Sequence, residues 1–191
     1  MMLRFRGFTL IELLIAVSIF VFLIMLAGPN LTTFMANSQI RSATDAMLNG
    51  VQQAQASAVR GNTLARLVVD PTTGTGGWQV LQTVDGGEPS PPNPIQIYTV
   101  RDGAPKTTVT PVPGDAREIT FDGFGRIVPN SARDPADTSP TLTCLKVTHP
   151  LSGTRKLNVA ISNTGTGIGT KLCDPAAAST EPQACPAACA N

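Results

Sequence analysis

The chain has 191 residues, 42% hydrophobic and 14% charged, with 17 glycines, 16 prolines and a formal net charge of +1. So small an excess of Lys and Arg excludes the sequence-independent nucleic-acid binders that neutralise phosphates along a broad basic face. No Gly-x-Ser-x-Gly or His-Glu-x-x-His string is present, and the one histidine, His149, stands apart before Pro150, so neither an enzyme nor a bound cofactor is expected.

The first segment, Met1 to Gly7, is short and basic through Arg4 and Arg6. It is followed by an apolar run, Phe8 to Ala27, whose only charge is Glu12. Twenty residues of helix at 1.5 Å each reach roughly 30 Å, the thickness of a bilayer's hydrocarbon core. A carboxylate within such a span costs on the order of 2–3 kcal/mol at its centre and less near its end, so Glu12 calls for a compensating partner. An ordinary secretory signal fits less well, because cleavage after Ala27 would place Met25 at a small-residue position and leave a charge within the apolar region.

A basic leader, then Gly7-Phe8-Thr9-Leu10-Ile11-Glu12, then an apolar helix resembles the class III signal of type IV pilins and type II secretion pseudopilins. That resemblance implies cleavage between Gly7 and Phe8 by a membrane prepilin peptidase, with N-methylation of Phe8. It also implies that Glu12 pairs with the terminal amine of an adjacent subunit and fixes axial register in a filament core. Loss of Arg4 and Arg6 from the 14 basic residues would leave 12 against 13 acidic ones.

Gly28-Pro29 follows, and proline both lacks a donor and clashes with the preceding turn, so a kink is expected there. Similar pilins carry a proline about this far in, where the helix loosens during assembly; a plain kink at the membrane exit is the equal alternative. Beyond it Ile40, Ala43, Met47, Val51, Ala54 and Ala58 recur at three- and four-residue steps. Their spacing predicts an amphipathic helix to about Arg60, stopped by Gly61-Asn62 and laid on a globular head.

Strands are expected at Leu64–Val69, Trp78–Val84, Ile95–Val100, Thr107–Val112, Glu118–Phe121, Leu142–Thr148 and Lys156–Ile161. Residues 85–94 and 130–140 are too rich in Gly, Pro and Ser for regular structure and read as surface loops. Gly165 to Gly169 reads as a hairpin turn, since no Gly-Lys-Ser/Thr ending accompanies it. Asp122, Asp134 and Asp137 lack EF-hand spacing, so no metal is expected.

Four cysteines, Cys144, Cys173, Cys185 and Cys189, form the pattern of an exported, disulfide-bonded head. Sequence alone leaves three connectivities open; pairing Cys144 with Cys173 and Cys185 with Cys189 keeps both bridges local. The Ala/Pro-rich stretch 174–191 has little to bury and is expected to be a flexible tail.

The expected organisation is a leader (1–7), a transmembrane half-helix (8–29), an amphipathic half-helix (30–62), a β-rich head (63–173) and a tail (174–191). This is an α+β chain, with a long N-terminal helix packed on an antiparallel sheet or β-sandwich. Within the pilin superfamily, Glu118 to Arg126, Arg155-Lys156-Leu157-Asn158-Val159 and Ser162-Asn163-Thr164-Gly165 resemble the GspH/FimT group. The resemblance implies a minor pilin or pseudopilin that primes or caps a type IV pilus or a type II secretion pseudopilus. Its partners would be prepilin peptidase, other pilins or pseudopilins, an inner-membrane assembly platform and membrane lipid, with the head in the periplasm. The alternative is a DNA-uptake or adhesive tip subunit. Relatives active in DNA uptake carry a Gly-Arg-x-Arg segment, but this chain has no arginine from Thr164 to Lys171, leaving Arg155, Lys156 and Lys171 as the residues for a weak nucleic-acid contact.

Overall fold

A computed structural model describes residues 8–70, 77–83, 93–99, 103–164 and 167–190, and not the side chains of 26–30, 70, 163–164 and 167–168. The expected leader therefore lies outside the described residues, as does nearly all of the 85–94 loop. The chain divides into two compact units, Met1–Met35 and Ala36–Asn191. One α-helix, α1 (Leu10–Gly61), runs through both and stays helical at Gly28-Pro29.

In the first unit every described side chain from Phe8 to Met25 is exposed, although nearly all are apolar. In the second unit the three- and four-residue spacing produces the opposite result. Ile40, Ala43, Met47, Val51, Ala54 and Ala58 are fully buried, whereas Arg41, Asn49 and Gln52 face water. The helix stops where Asn62 adopts the left-handed conformation (φ 46°), letting the Thr63 N–H donate to the Ala58 carbonyl at 3.1 Å. This is the usual way to satisfy the last carbonyls of a helix.

Among the described residues nine strands form two antiparallel sheets. The first has the order β3 (Gln96–Tyr98), β2 (Gly77–Gln82), β1 (Ala65–Asp70), β5 (Glu118–Phe121), β6 (Ile127–Val128). The second has the order β4 (Thr108–Val112), β7 (Cys144–Thr148), β8 (Leu157–Thr164), β9 (Gly167–Cys173). Period-two alternation sends Leu67, Val80, Ile119 and Phe121 from the first sheet, and Leu145, Val147, Val159 and Ile161 from the second, into one core with the stripe of α1. Gly50 allows α1 to approach β2 closely, since a β-carbon there would lie 2.8 Å from the Trp78 ring, itself stacked on Tyr98 at 5.6 Å.

Four sequence expectations need correction. Strands β6 and β9 were not anticipated; β9 is glycine-poor only at its end, yet it pairs along β8 from Asn158↔Cys173 to Thr164↔Gly167. Residues 130–140 are not simply a surface loop, because Asn130 opens a 3₁₀ turn and is buried, its amide donating to Ser139 and its carbonyl accepting from Thr120. The disulfides are Cys144–Cys189 and Cys173–Cys185, not the local pairs. Cys144 and Cys173 lie in β7 and β9, and each reaches the C-terminal segment rather than the other.

The fourth correction follows from those bridges, because residues 174–190 are ordered. They fold back over the outer face of the second sheet, with a parallel bridge between Asp174 and Ala184 and a second small core of Cys144, Ala160, Cys173 and Cys189. The buried Asn158 amide donates to the Cys189 carbonyl at 2.6 Å, and Lys171 Nζ to the Ala184 carbonyl at 3.2 Å. In the chain-entropy picture, bridges spanning 45 and 12 residues are worth roughly 4 and 3 kcal/mol, each taken alone. Covalent closure thus substitutes for the apolar side chains this segment lacks.

Candidate functional site

The stem begins with a cap. Thr9 precedes α1, its hydroxyl accepts from the Glu12 N–H at 3.3 Å, and its carbonyl accepts from the Leu13 N–H at 3.1 Å. Thr-x-x-Glu ahead of an apolar run is the capping-box spacing, a sequence signal for where this helix starts. Glu12 consequently sits in the first turn, where unpaired N–H groups favour a negative charge. Around and after it, Leu10 is 82% exposed, Phe22 63% and Met25 75%, and Leu31, Phe34 and Met35 continue the exposed apolar surface. Ser18 hides its hydroxyl by donating to the Leu14 carbonyl at 2.8 Å.

A helix that is apolar on all sides is matched to surroundings that are apolar on all sides, either lipid or other such helices. Among the described residues no helix is long and apolar enough to cross a membrane. Side chains are described from Phe8 to Met25 and again from Leu31, so the expected 8–29 span is only partly covered.

In the head, the polar side of the first sheet is organised by a charge network that the sequence did not announce. Glu118 is buried in β5 between Arg66 of β1, which donates a short hydrogen bond to one carboxylate oxygen, and Arg133, which donates to the other at 3.1 Å. Arg133 also donates to Asp137 at 2.8 Å. The Asp137 pKa is lowered to about 2, first by hydrogen bonds from the side chain and backbone of Ser139, which outweigh the raising effect of burial, and further by the Arg133 guanidinium. This network joins β1 and β5 to the 130–140 segment.

At the β5–β6 turn, Asp122 accepts from the backbone N–H groups of Phe124 at 3.0 Å and Arg126 at 2.8 Å, and pairs with the Arg126 guanidinium. Desolvation pushes the Asp122 carboxyl up, but the hydrogen bonds from Arg126 and Phe124 outweigh it and hold its pKa below the ordinary value. Gly125 takes φ +75°, and Arg126 lies over the exposed Phe124 ring at 5.2 Å.

The three basic candidates do not converge on one spot. Arg155 and Lys156 precede β8, and the Arg155 backbone N–H donates to the Asn37 side chain. Lys171 lies opposite Ala160, about 13 Å further along β8 at strand rise, with its amine held by the tail. Asp122 is likewise engaged in the β5–β6 turn, and Asp134 and Asp137 at the two ends of the 134–137 turn, where Asp137 also pairs with Arg133. The cysteine sulfurs of 173, 185 and 189 lie within 4.8 Å of one another, but both pairs involving them are oxidised.

A long N-terminal helix, apolar outside in its first part and packed on an antiparallel β head in its second, defines a pilin-like protein. The model of the family described as type II transport protein GspH matches residues 43–165, and that of the prokaryotic N-terminal methylation motif matches residues 2–28. The chain belongs to the GspH family and is a structural subunit of the minor pilin or pseudopilin kind. Among solved structures, it is similar to the type IV minor pilin FimU of Pseudomonas aeruginosa in two crystal forms. One is 16% identical with a TM-score of 0.49, covering 72% of this chain and 92% of that one. The other is 15% identical with a TM-score of 0.46, covering 69% and 91%. No curated protein sequence matches the chain.

Proposed function

We propose that the chain is held in the inner membrane by its stem with the head in the periplasm, is processed by prepilin peptidase, and primes or caps a filament. The observation that carries this reading is the stem's exposed apolar surface, from Phe8 onward, which no part of its own compact unit covers among the described residues. Filament assembly would exchange its lipid contacts for those of neighbouring stems of other pilins or pseudopilins.

Processing would cut between Gly7 and Phe8, leaving a methylated, positively charged Phe8 amine. Glu12 would then pair with the Phe8 amine of an adjacent subunit. In an apolar medium an unpartnered carboxylate is costly, so a slipped register is penalised more than the correct one is rewarded. Gly28-Pro29 would loosen the helix between its two halves.

Deleting the gene and complementing it tests the filament assignment. Surface pili lost on deletion and restored by complementation identify a pilus-priming subunit, whereas unchanged pili with impaired secretion identify a pseudopilin. Unchanged pili and secretion would contradict the proposal. Replacing Gly7 should leave an unshortened, unmethylated chain, detected by intact mass.

A further inference from the structure

The two disulfides are close enough to exchange. Cys173, Cys185 and Cys189 place their sulfurs within 4.8 Å of one another although they belong to different bridges. Cys144, Cys173 and Cys189 are buried, at 0%, 2% and 1% exposure, while Cys185 is half-buried and so the most accessible residue of the four. The segment they hold has little else to retain it: within 174–190 only Cys189 is buried.

We propose that the four cysteines form one exchange-coupled latch, entered at Cys185, which lets a single two-electron reduction release the C-terminal strap from both strands that anchor it. A thiolate of an external dithiol attacks Cys185 Sγ, and the Cys173–Cys185 bond breaks with its electron pair leaving on Cys173 Sγ. The second thiol of that reductant displaces Cys185 as a thiolate, and the reductant departs as its own disulfide. Burial disfavours the thiolate at Cys173, which takes up the proton given off by that second thiol, so Cys185 is the better nucleophile of the two. Cys185 Sγ then attacks Cys189 Sγ, a Cys185–Cys189 bond forms, and Cys144 Sγ leaves as a thiolate that takes up a proton.

The intramolecular step is redox-neutral, so the chain ends with one disulfide and two thiols, as simple reduction of the outer bridge would leave it. Its location differs. The remaining bond lies wholly within the strap, joining two residues four apart, so no disulfide ties the strap to β7 or β9 and only the chain itself, from Cys173 to Asp174, joins it covalently to β9. The outer face of the second sheet, including Asn158, Ala160 and Lys171, would then be uncovered, since among the described residues the strap's remaining hydrogen bonds there are those of the Asn158 and Lys171 side chains.

The test uses the full chain in detergent micelles with limiting dithiothreitol, followed by acid quenching, N-ethylmaleimide labelling and peptide mapping of the two-thiol fraction. The latch predicts label on Cys144 and Cys173 in most of that fraction, with a Cys185–Cys189 peptide still bonded. It also predicts at least tenfold faster amide exchange at Asp174 and Ala184, with the β1 and β5 amides unchanged. Label on any other pair, Cys173 with Cys185 above all, or a strap that stays protected in the Cys144/Cys173 species, would overturn it.

Discussion

The two parts of the chain use apolar residues in opposite ways. From Phe8 to Met25 almost every side chain is apolar and exposed; from Ile40 to Ala58 the apolar residues form one stripe, and that stripe is fully buried. The first arrangement has its minimum free energy only with lipid or other stems around it, while the second is completed by the chain's own sheets. A subunit built this way carries a finished head on an unfinished stem, and assembly can be driven by the stem without unfolding the head.

Stem and head should therefore fail independently when broken. The largest effect expected on the head comes from truncating its core: Phe121→Ala or Met47→Ala should cost about 3–4 kcal/mol in denaturant unfolding, with the stem still inserted in membrane. Equal stability, or loss of membrane association alongside it, would break the comparison. Glu118→Gln comes next, since it leaves Arg66 and Arg133 facing a neutral group, and should cost about 3 kcal/mol.

Asp137 sharpens the account through pH. Its folded pKa of about 2 lies below the ordinary aspartate value of 3.8, so its contribution is fully present above about pH 4 and is lost as pH falls through 2. At 18% side-chain exposure the shift corresponds to about 2 kcal/mol. Asp137→Asn should thus destabilise the head at pH 6 and make little difference at pH 1.5, measured by thermal unfolding at both values. The smallest effect is at the cap: Thr9→Ala should fray the first turn at a cost of about 1 kcal/mol, visible as faster exchange at Glu12 and Leu13 with no change in head melting.

What could be read from sequence, and what could not, follows the range of the interactions. The stripe from Ile40 to Ala58 is legible because helical periodicity is local, and so is the Thr9–Glu12 cap. Glu118 is not, because Glu118-Ile119-Thr120-Phe121 reads as a strand with a polar outer face, and the residues that bury that face lie 52 and 15 positions away at Arg66 and Arg133. Cysteine connectivity is equally hidden: the local pairing minimises loop length, but the fold of β7 and β9 brings both anchors beneath residues 185–189. Ordering of the tail was illegible for the same reason, since composition registers its few apolar side chains but not what is covalently attached to them.

The central claim is that the stem, with Glu12 setting register, carries assembly while the head remains a self-contained fold. Its most direct test is the amount of Glu12→Ala protein in sheared filaments relative to wild type, with cleavage after Gly7 and head melting checked in parallel. The account predicts processed, fully folded protein that stays in the membrane and is depleted from filaments by at least tenfold. Wild-type incorporation of processed Glu12→Ala protein would contradict it.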